Sequence, residues 1–155
     1  MAIILGIDPG SHNTGFGVIE KTSEATKLIR FGAISMKSSE TFENRLLLIG
    51  LEIEKILKLY KPQSVIIEEI FTAKNIKSSL QLAHLRGVCL YEAKKVGAQI
   101  HTYSAKAVKK GITGSGNATK DQVAFLLQNL VGAGIGVEKL DATDALALAY
   151  YHTTR

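Results

Sequence analysis

Ile3-Ile4-Leu5-Gly6-Ile7-Asp8-Pro9 opens the chain as a nearly unbroken apolar run that ends on an acid. A run of this length and composition suits a β-strand buried on both faces. Pro9-Gly10-Ser11 is a turn signal, and Gly15-Phe16-Gly17-Val18-Ile19 returns as a second strand. A third is expected around Lys27–Ser35, so the first three strands make an antiparallel meander. Phe42–Tyr60 predicts a helix: Leu46, Ile49, Ile53, Ile56, Leu57 and Tyr60 form one stripe, with Glu54, Lys55 and Lys58 opposite. Lys61-Pro62 ends it. Ser64–Ile70 reads as another buried strand carrying Glu68 and Glu69, and Gln99–Tyr103 as a short one. Lys106–Thr119 reads as a loop containing glycines and lysines. Lys120–Leu130 and Asp141–Tyr151 read as helices. The pattern is that of one α/β domain spanning residues 1–155, a five-stranded mixed sheet flanked by helices.

Asn75–Val96 predicts a long helix of unusual character. Ile76, Leu80, Ala83, Gly87 and Leu90 make one apolar line, and Leu82, Leu85, Cys89 and Ala93 make a second. A helix apolar on two sides needs two things to pack against. The sheet can be one; a partner subunit can be the other. Periodicity does not say which line faces which.

Composition narrows the class. The 155 residues suffice for a real core, and 46% hydrophobic with 21% charged describes a globular protein. No apolar run approaches the ~20 residues needed to cross a bilayer, and Met1–Ile7 lacks the basic leader of a signal peptide. With Cys89 as the one cysteine there is no internal disulfide, which fits a cytoplasmic protein. Cys89 itself reads as a small buried hydrophobe. The net charge of +5 leans toward a polyanionic partner such as nucleic acid.

Four acids stand out by position. Asp8 closes a buried strand, where an unpaired charge is costly. Glu68 and Glu69 end another. Asp141 and Asp144 lie three apart at the start of a helix and project from about the same face. If the two strands are neighbours and the helix packs across their ends, these carboxylates converge. Converging anions repel, and divalent metal removes the conflict: two hard cations about 3.5–4 Å apart can activate a water and stabilise the leaving oxygen of a phosphodiester. No His or Cys cluster has zinc spacing, and all-oxygen ligation favours magnesium or manganese. Bland alternatives stay open. Asp141 and Asp144 also suit an N-cap and a first-turn acid, Asp8 a turn residue, and Glu68 and Glu69 a solvated edge.

Four blocks, in order from about residue 2 to about residue 152, resemble the RuvC family of bacterial Holliday-junction resolvases. They are Ile4-Leu5-Gly6-Ile7-Asp8-Pro9-Gly10-Ser11 with Thr14-Gly15-Phe16-Gly17-Val18; Ile67-Glu68-Glu69-Ile70-Phe71 followed by Ala73-Lys74-Asn75 and by Arg86-Gly87; Val108-Lys109-Lys110 through Gly114, Gly116 and Lys120; and Asp141-Ala142-Thr143-Asp144-Ala145-Leu146-Ala147. The resemblance implies a ribonuclease H-like fold and a homodimer with two active sites. It implies paired, symmetric, magnesium-dependent nicks in a four-way DNA junction, in recombination and repair. It implies two Mg2+ per site, with Mn2+ able to substitute, and the RuvA–RuvB branch-migration complex as a partner. The catalytic, metal-holding tetrad of the family falls on Asp8, Glu68, Asp141 and Asp144. Phe71 resembles the family's aromatic near the crossover, where stacking on an unpaired base would hold the junction open. Lys109 and Lys120 match lysines near the scissile phosphate, and Lys74 falls among the DNA-binding positions. Among the two adjacent glutamates, alignment to the family motif selects Glu68. The long helix Asn75–Val96 matches the family's dimer interface. Family members often extend past the last helix with a basic tail; this sequence stops at Arg155.

Rival readings are a nuclease of the same fold acting on RNA–DNA hybrids, a non-catalytic junction-binding dimer, and one phosphate-binding lobe of the actin-like ATPases. The last needs two lobes and gives no reason for Asp141 and Asp144. A binding protein has no use for four clustered acids, which repel DNA.

Overall fold

The computed structural model describes residues 1–70, 74–132 and 140–155, the side chains of residues 140 and 141 excepted. Its five strands are β1 (Ala2–Asp8), β2 (Asn13–Lys21), β3 (Thr26–Ser35), β4 (Ser64–Glu68) and β5 (Gln99–Tyr103). They form one sheet in the order β3-β2-β1-β4-β5. The meander β1–β2–β3 is antiparallel, while β4 and β5 run parallel to β1. The sheet is therefore mixed, as expected, and β1 and β4 are neighbours. β4 is shorter than the expected Ser64–Ile70. Its ladder with β5 ends at the pair Glu68↔Tyr103, and past Glu69, whose N–H donates to the Tyr103 carbonyl at 3.0 Å, no further ladder pair follows.

Two cores lie on opposite faces of the sheet. Leu5, Ile7, Val18, Val65 and Ile67 pack under helices α1 (Phe42–Tyr60) and α2 (Ile76–Lys95). Ile4, Ile19 and Ile66 pack under α3 (Ala105–Thr113), α4 (Lys120–Val131) and α5 (Leu140–His152). Side chains alternate along a strand, so β1 and β4 must be apolar at every position, which is why both read as unbroken hydrophobic runs. α5 is buried nearly all round from Ala142 to Ala149, the state expected of a helix with no polar face.

One expectation is corrected. Residues 105–113 are helix α3 rather than loop. The Ser104 side chain caps it by accepting from the Ala107 N–H at 3.1 Å, and Gly114, at φ 84°, ends it in the left-handed conformation. Val108 is buried, Ile112 packs against the same core, and Gly111 lies flat against the Tyr151 ring. The lysines and glycines hid a short amphipathic helix of 9 residues, about two and a half turns, whose stops were Ser104 and Gly114.

The structure also resolves α2. Leu85, Cys89 and Ala93 are fully buried against the sheet with Leu82 packed on them. Ile76, Leu80, Ala83 and Gly87 are the exposed line. Burial pushes the Cys89 thiol up to about 12, as befits a packed side chain. Among the described residues, no helix is long and apolar enough to cross a membrane.

Candidate active site

Asp8 and Glu68 end neighbouring strands. The β1–β4 register pairs Gly6 with Ile66 and Ile7 with Ile67, so two-residue alternation sends Asp8 to the face of Ile4 and Gly6, and Glu68 to that of Ile66. That is the α5 face. Glu69 falls on the other side of the alternation and is exposed. Asp144 comes down on the two strand acids from the first turns of α5. Asp141 lies one turn earlier in the same helix; its side chain is outside the described ones.

α5 can come this close because of two glycines. Gly6 and Gly17 are paired across β1 and β2. A Cβ on Gly6 would sit 1.9 Å from the Ala145 carbonyl oxygen, and one on Gly17 would sit 2.7 Å from the Leu146 Cα. Glycine inside a strand often marks such a backbone approach, and that signal was present in the sequence, though the helix it serves was not identifiable there.

The electrostatics are those of crowded acids. Burial, then the neighbouring Glu68 carboxylate with which it shares a hydrogen bond, raises the Asp8 carboxyl to about 9, with Asp144 adding and Lys120 opposing. Burial also raises Glu68, and Asp144 adds to this, while the hydrogen bond to Asp8, Lys109 and Lys120 oppose it. In the absence of a cation the Asp8–Glu68 pair therefore retains a proton at neutral pH. Lys120, the first residue of α4, places its Nζ 3.1 Å from Asp144 Oδ2. Lys109, on α3, lines a narrow crevice with Glu68, Asp144 and Val108.

Of the eight candidate residues, the structure brings together Asp8, Glu68, Asp144, Lys109 and Lys120. Lys74 is exposed beside Asn75, the N-cap of α2. Phe71 lies outside the described residues. Two arginines that the sequence did not single out for a role hold the backbone around the acids. Arg45 of α1 donates to the Ser11 carbonyl at 2.8 Å, in the turn after Asp8. Arg86 of α2 donates to the carbonyl of Glu68 itself.

Among the described residues, no group of three or more His, Cys, Asp or Glu is arranged to hold a metal ion as it stands. The donor chemistry nonetheless fits a hard divalent cation. The carboxylates are all-oxygen ligands, and they bear more buried negative charge than the site can carry without a proton. Among the described residues, an open apolar groove lies elsewhere, between α1 and α2, where Leu47, Leu51, Ala83, Gly87 and Tyr91 line it. Its lining suits protein contact better than phosphate chemistry.

Known proteins match this arrangement over almost its whole length. The family described as crossover junction endodeoxyribonuclease RuvC matches residues 4–152. The crossover junction endodeoxyribonuclease RuvC of Bdellovibrio bacteriovorus is 41% identical over 150 residues, 97% of this chain and 89% of that protein. The solved Thermus thermophilus RuvC in complex with Holliday junction substrate superposes with a TM-score of 0.90 at 25% identity, covering 99% of this chain and 93% of that one. The yeast mitochondrial Holliday junction resolvase shares the fold, with a TM-score of 0.69 at 14% identity over 96% of this chain and 76% of its own.

Proposed function

The chain belongs to the RuvC family of crossover junction endodeoxyribonucleases, and on that premise we propose that Asp8, Glu68, Asp141 and Asp144 are the acids with which it cuts. It is a Holliday junction resolving endonuclease of ribonuclease H-like fold, and its family is metal-dependent. One observation carries the site assignment: Asp8, Glu68 and Asp144 converge at one end of the sheet, on one face, with two lysines beside them.

Two divalent cations held by the four acids, magnesium in the cell with manganese able to substitute, would polarise the scissile phosphate and activate the attacking water. The chain's own groups do the rest. Lys109 and Lys120 neutralise charge on the phosphate as it enters, and as the leaving oxygen departs. Burial of Asp8 and Glu68 keeps their carboxylates out of bulk water, where their hold on a cation would be screened. Phe71 and Lys74 contact the junction outside the cut, the first by stacking on a base and the second through the backbone phosphates.

The active unit is a homodimer that makes paired, symmetric nicks. In support, Leu80 is 57% exposed, Leu47 62% and Tyr91 66%, and all three belong to the apolar faces of α1 and α2 that the sheet leaves uncovered. Patches of this kind mark protein contacts, and one self-complementary patch gives a two-fold pair. We assign the RuvA–RuvB branch-migration complex as partner, the cytoplasm as location, and residues 1–155 as a single resolvase domain.

The test is direct. The protein is incubated with magnesium and a labelled four-way junction, a linear duplex or an RNA–DNA hybrid. Paired nicks in the junction alone support the assignment. Preferential cutting of the hybrid, or junction binding without any cut, would overturn it in favour of the two rivals.

A further inference from the structure

We propose that Arg86 is a positioning residue for cleavage: its guanidinium fixes the end of β4 so that the Glu68 carboxylate faces the metal site. The inference rests on Glu68 being a metal-holding acid, as proposed above. Glu68 is the last residue of β4. The β1–β4 register stops one pair earlier, at Ile7↔Ile67, so the end of the strand has a ladder partner on the β5 side only. The peptide after Glu68 is held on its N–H side, where Glu69 donates to the Tyr103 carbonyl at 3.0 Å, and a second hold on its carbonyl side limits the remaining tilt of that plane and of the Glu68 Cα–Cβ bond.

Arg86 supplies that second hold. Its Nε donates to the Glu68 carbonyl at 3.1 Å, and its Nη2 donates to Thr102 Oγ1 at 2.8 Å. The planar guanidinium thus grips the main chain of β4 and a side chain of β5 at once, which a lysine cannot reproduce. The grip is firm because of where the residue stands on α2. Leu85 immediately before it and Cys89 three residues after it are fully buried, so the helix cannot shift under the arginine without opening the core. A charge-assisted bond to a carbonyl is stronger than a neutral one, so it makes a firm contact at the strand end. The carbonyl, once fixed, sets the orientation of its peptide plane, and this orients the side chain that shares its Cα.

Partners that orient ligands affect metal affinity and turnover more than they affect the remainder of the protein. The experiment compares wild type with Arg86→Lys, Arg86→Gln, Thr102→Val and Glu68→Gln. Four quantities are read: single-turnover junction cleavage at saturating protein, the Mn2+ concentration giving half-maximal cleavage, Mn2+ binding to the DNA-free protein by calorimetry, and junction affinity. For both Arg86 variants, cleavage at limiting Mn2+ should fall about 10–100-fold. The Mn2+ requirement should rise, excess Mn2+ should recover part of the rate, and junction affinity should hold. Lysine should rescue nothing. Thr102→Val, at an exposed position, should move the Mn2+ requirement in the same direction by less, and it decides the matter if Arg86→Gln does not fold.

Wild-type Mn2+ dependence in Arg86→Lys would overturn the proposal, because charge alone would then suffice. So would a loss of junction affinity matching the loss of rate, since Arg86 would then be a DNA contact. Glu68→Gln separates the two layers. Normal cleavage by that variant removes Glu68 from the site, whereas an inactive Glu68→Gln beside unaffected Arg86 and Thr102 variants sinks only the positioning role.

Discussion

Gly6 and Gly17 are direct partners in the β1–β2 ladder, and together they leave the bare strip of sheet on which Ala145 and Leu146 rest. The strip sets the depth of α5, and α5 carries Asp144 to Asp8. Gly6→Ala and Gly17→Ala should each lower stability by about 1–3 kcal/mol, the usual cost of overpacking. Cleavage should fall further than the folded fraction does, because a lifted helix also lifts its acids. Chemical denaturation alongside single-turnover cleavage checks this. Gly6→Ala has the shorter contact, onto a backbone oxygen, and should be the more severe.

If, as proposed, the four acids hold metal while the basic surface supplies affinity, Asp8→Asn, Glu68→Gln, Asp141→Asn and Asp144→Asn should each abolish cleavage while sparing junction binding. Glu69→Gln should keep most of the wild-type rate, because Glu69 is exposed and off the α5 face. A reversed result for the two glutamates would move the whole strand register by one residue. Gel-shift and cleavage assays on the same junction separate binding from chemistry.

The pH dependence of the metal-free protein follows from Asp8, whose carboxyl burial and Glu68 raise from 3.8 to about 9. A folded-state value above the unfolded one makes this group's contribution fully present below about 4. It is lost as the pH rises toward 9. The thermal midpoint of metal-free wild type should therefore fall over that window more steeply than that of Asp8→Asn. At pH 8 the variant should be the more stable by about 3–6 °C, the shift expected for roughly 1–2 kcal/mol in a domain this size. Adding Mn2+ should raise the wild type and leave the variant nearly unmoved. Metal must displace the shared proton, so a higher metal concentration should also shift the cleavage profile to lower pH.

Leu80→Glu and Leu51→Glu should give folded monomers that bind the junction weakly and do not make paired cuts. Both side chains are exposed on the uncovered faces of α2 and α1. Leu85→Glu should instead fail to fold, since Leu85 is 0% exposed and a lone charge there has no partner. Sedimentation velocity with circular dichroism tells these outcomes apart.

Lys120→Ala should change thermal stability little, because an ion pair with a half-exposed lysine contributes about 0–1 kcal/mol. Cleavage should slow by roughly 100-fold if the ammonium meets the reacting phosphate. Lys109→Ala should behave alike. A variant that loses affinity and about one unit of salt slope, with an unchanged rate at saturation, would mark its lysine as a general backbone contact.

The sequence alone determined the element list, helix α3 and the end of β4 excepted, and the acids worth testing. Apolar runs ending in Asp8 and Glu68 announced buried strands, the stripe from Leu46 to Tyr60 announced α1, and the family motif distinguished Glu68 from Glu69. Three matters awaited the tertiary structure. Hydrophobic contrast could not say which way Glu68 points, because β4 is covered on both faces and its period-two signal is flat; only the register with β1 and the position of α5 settle that. Nor could it orient α2, whose two apolar lines are alike in composition; the sheet takes Leu85, Cys89 and Ala93 and leaves Leu80 outside. Residues 105–113 read as loop because lysine and glycine dominate them, yet Ser104, Gly114 and the Tyr151 ring make a helix of them. A sequence records the period of its side chains, but the identity of what each face meets is a property of the other elements. For that reason the seat formed by Gly6 and Gly17 could be seen only once α5 lay across β1 and β2, and the grip of Arg86 on Glu68 only once α2 lay against the end of β4.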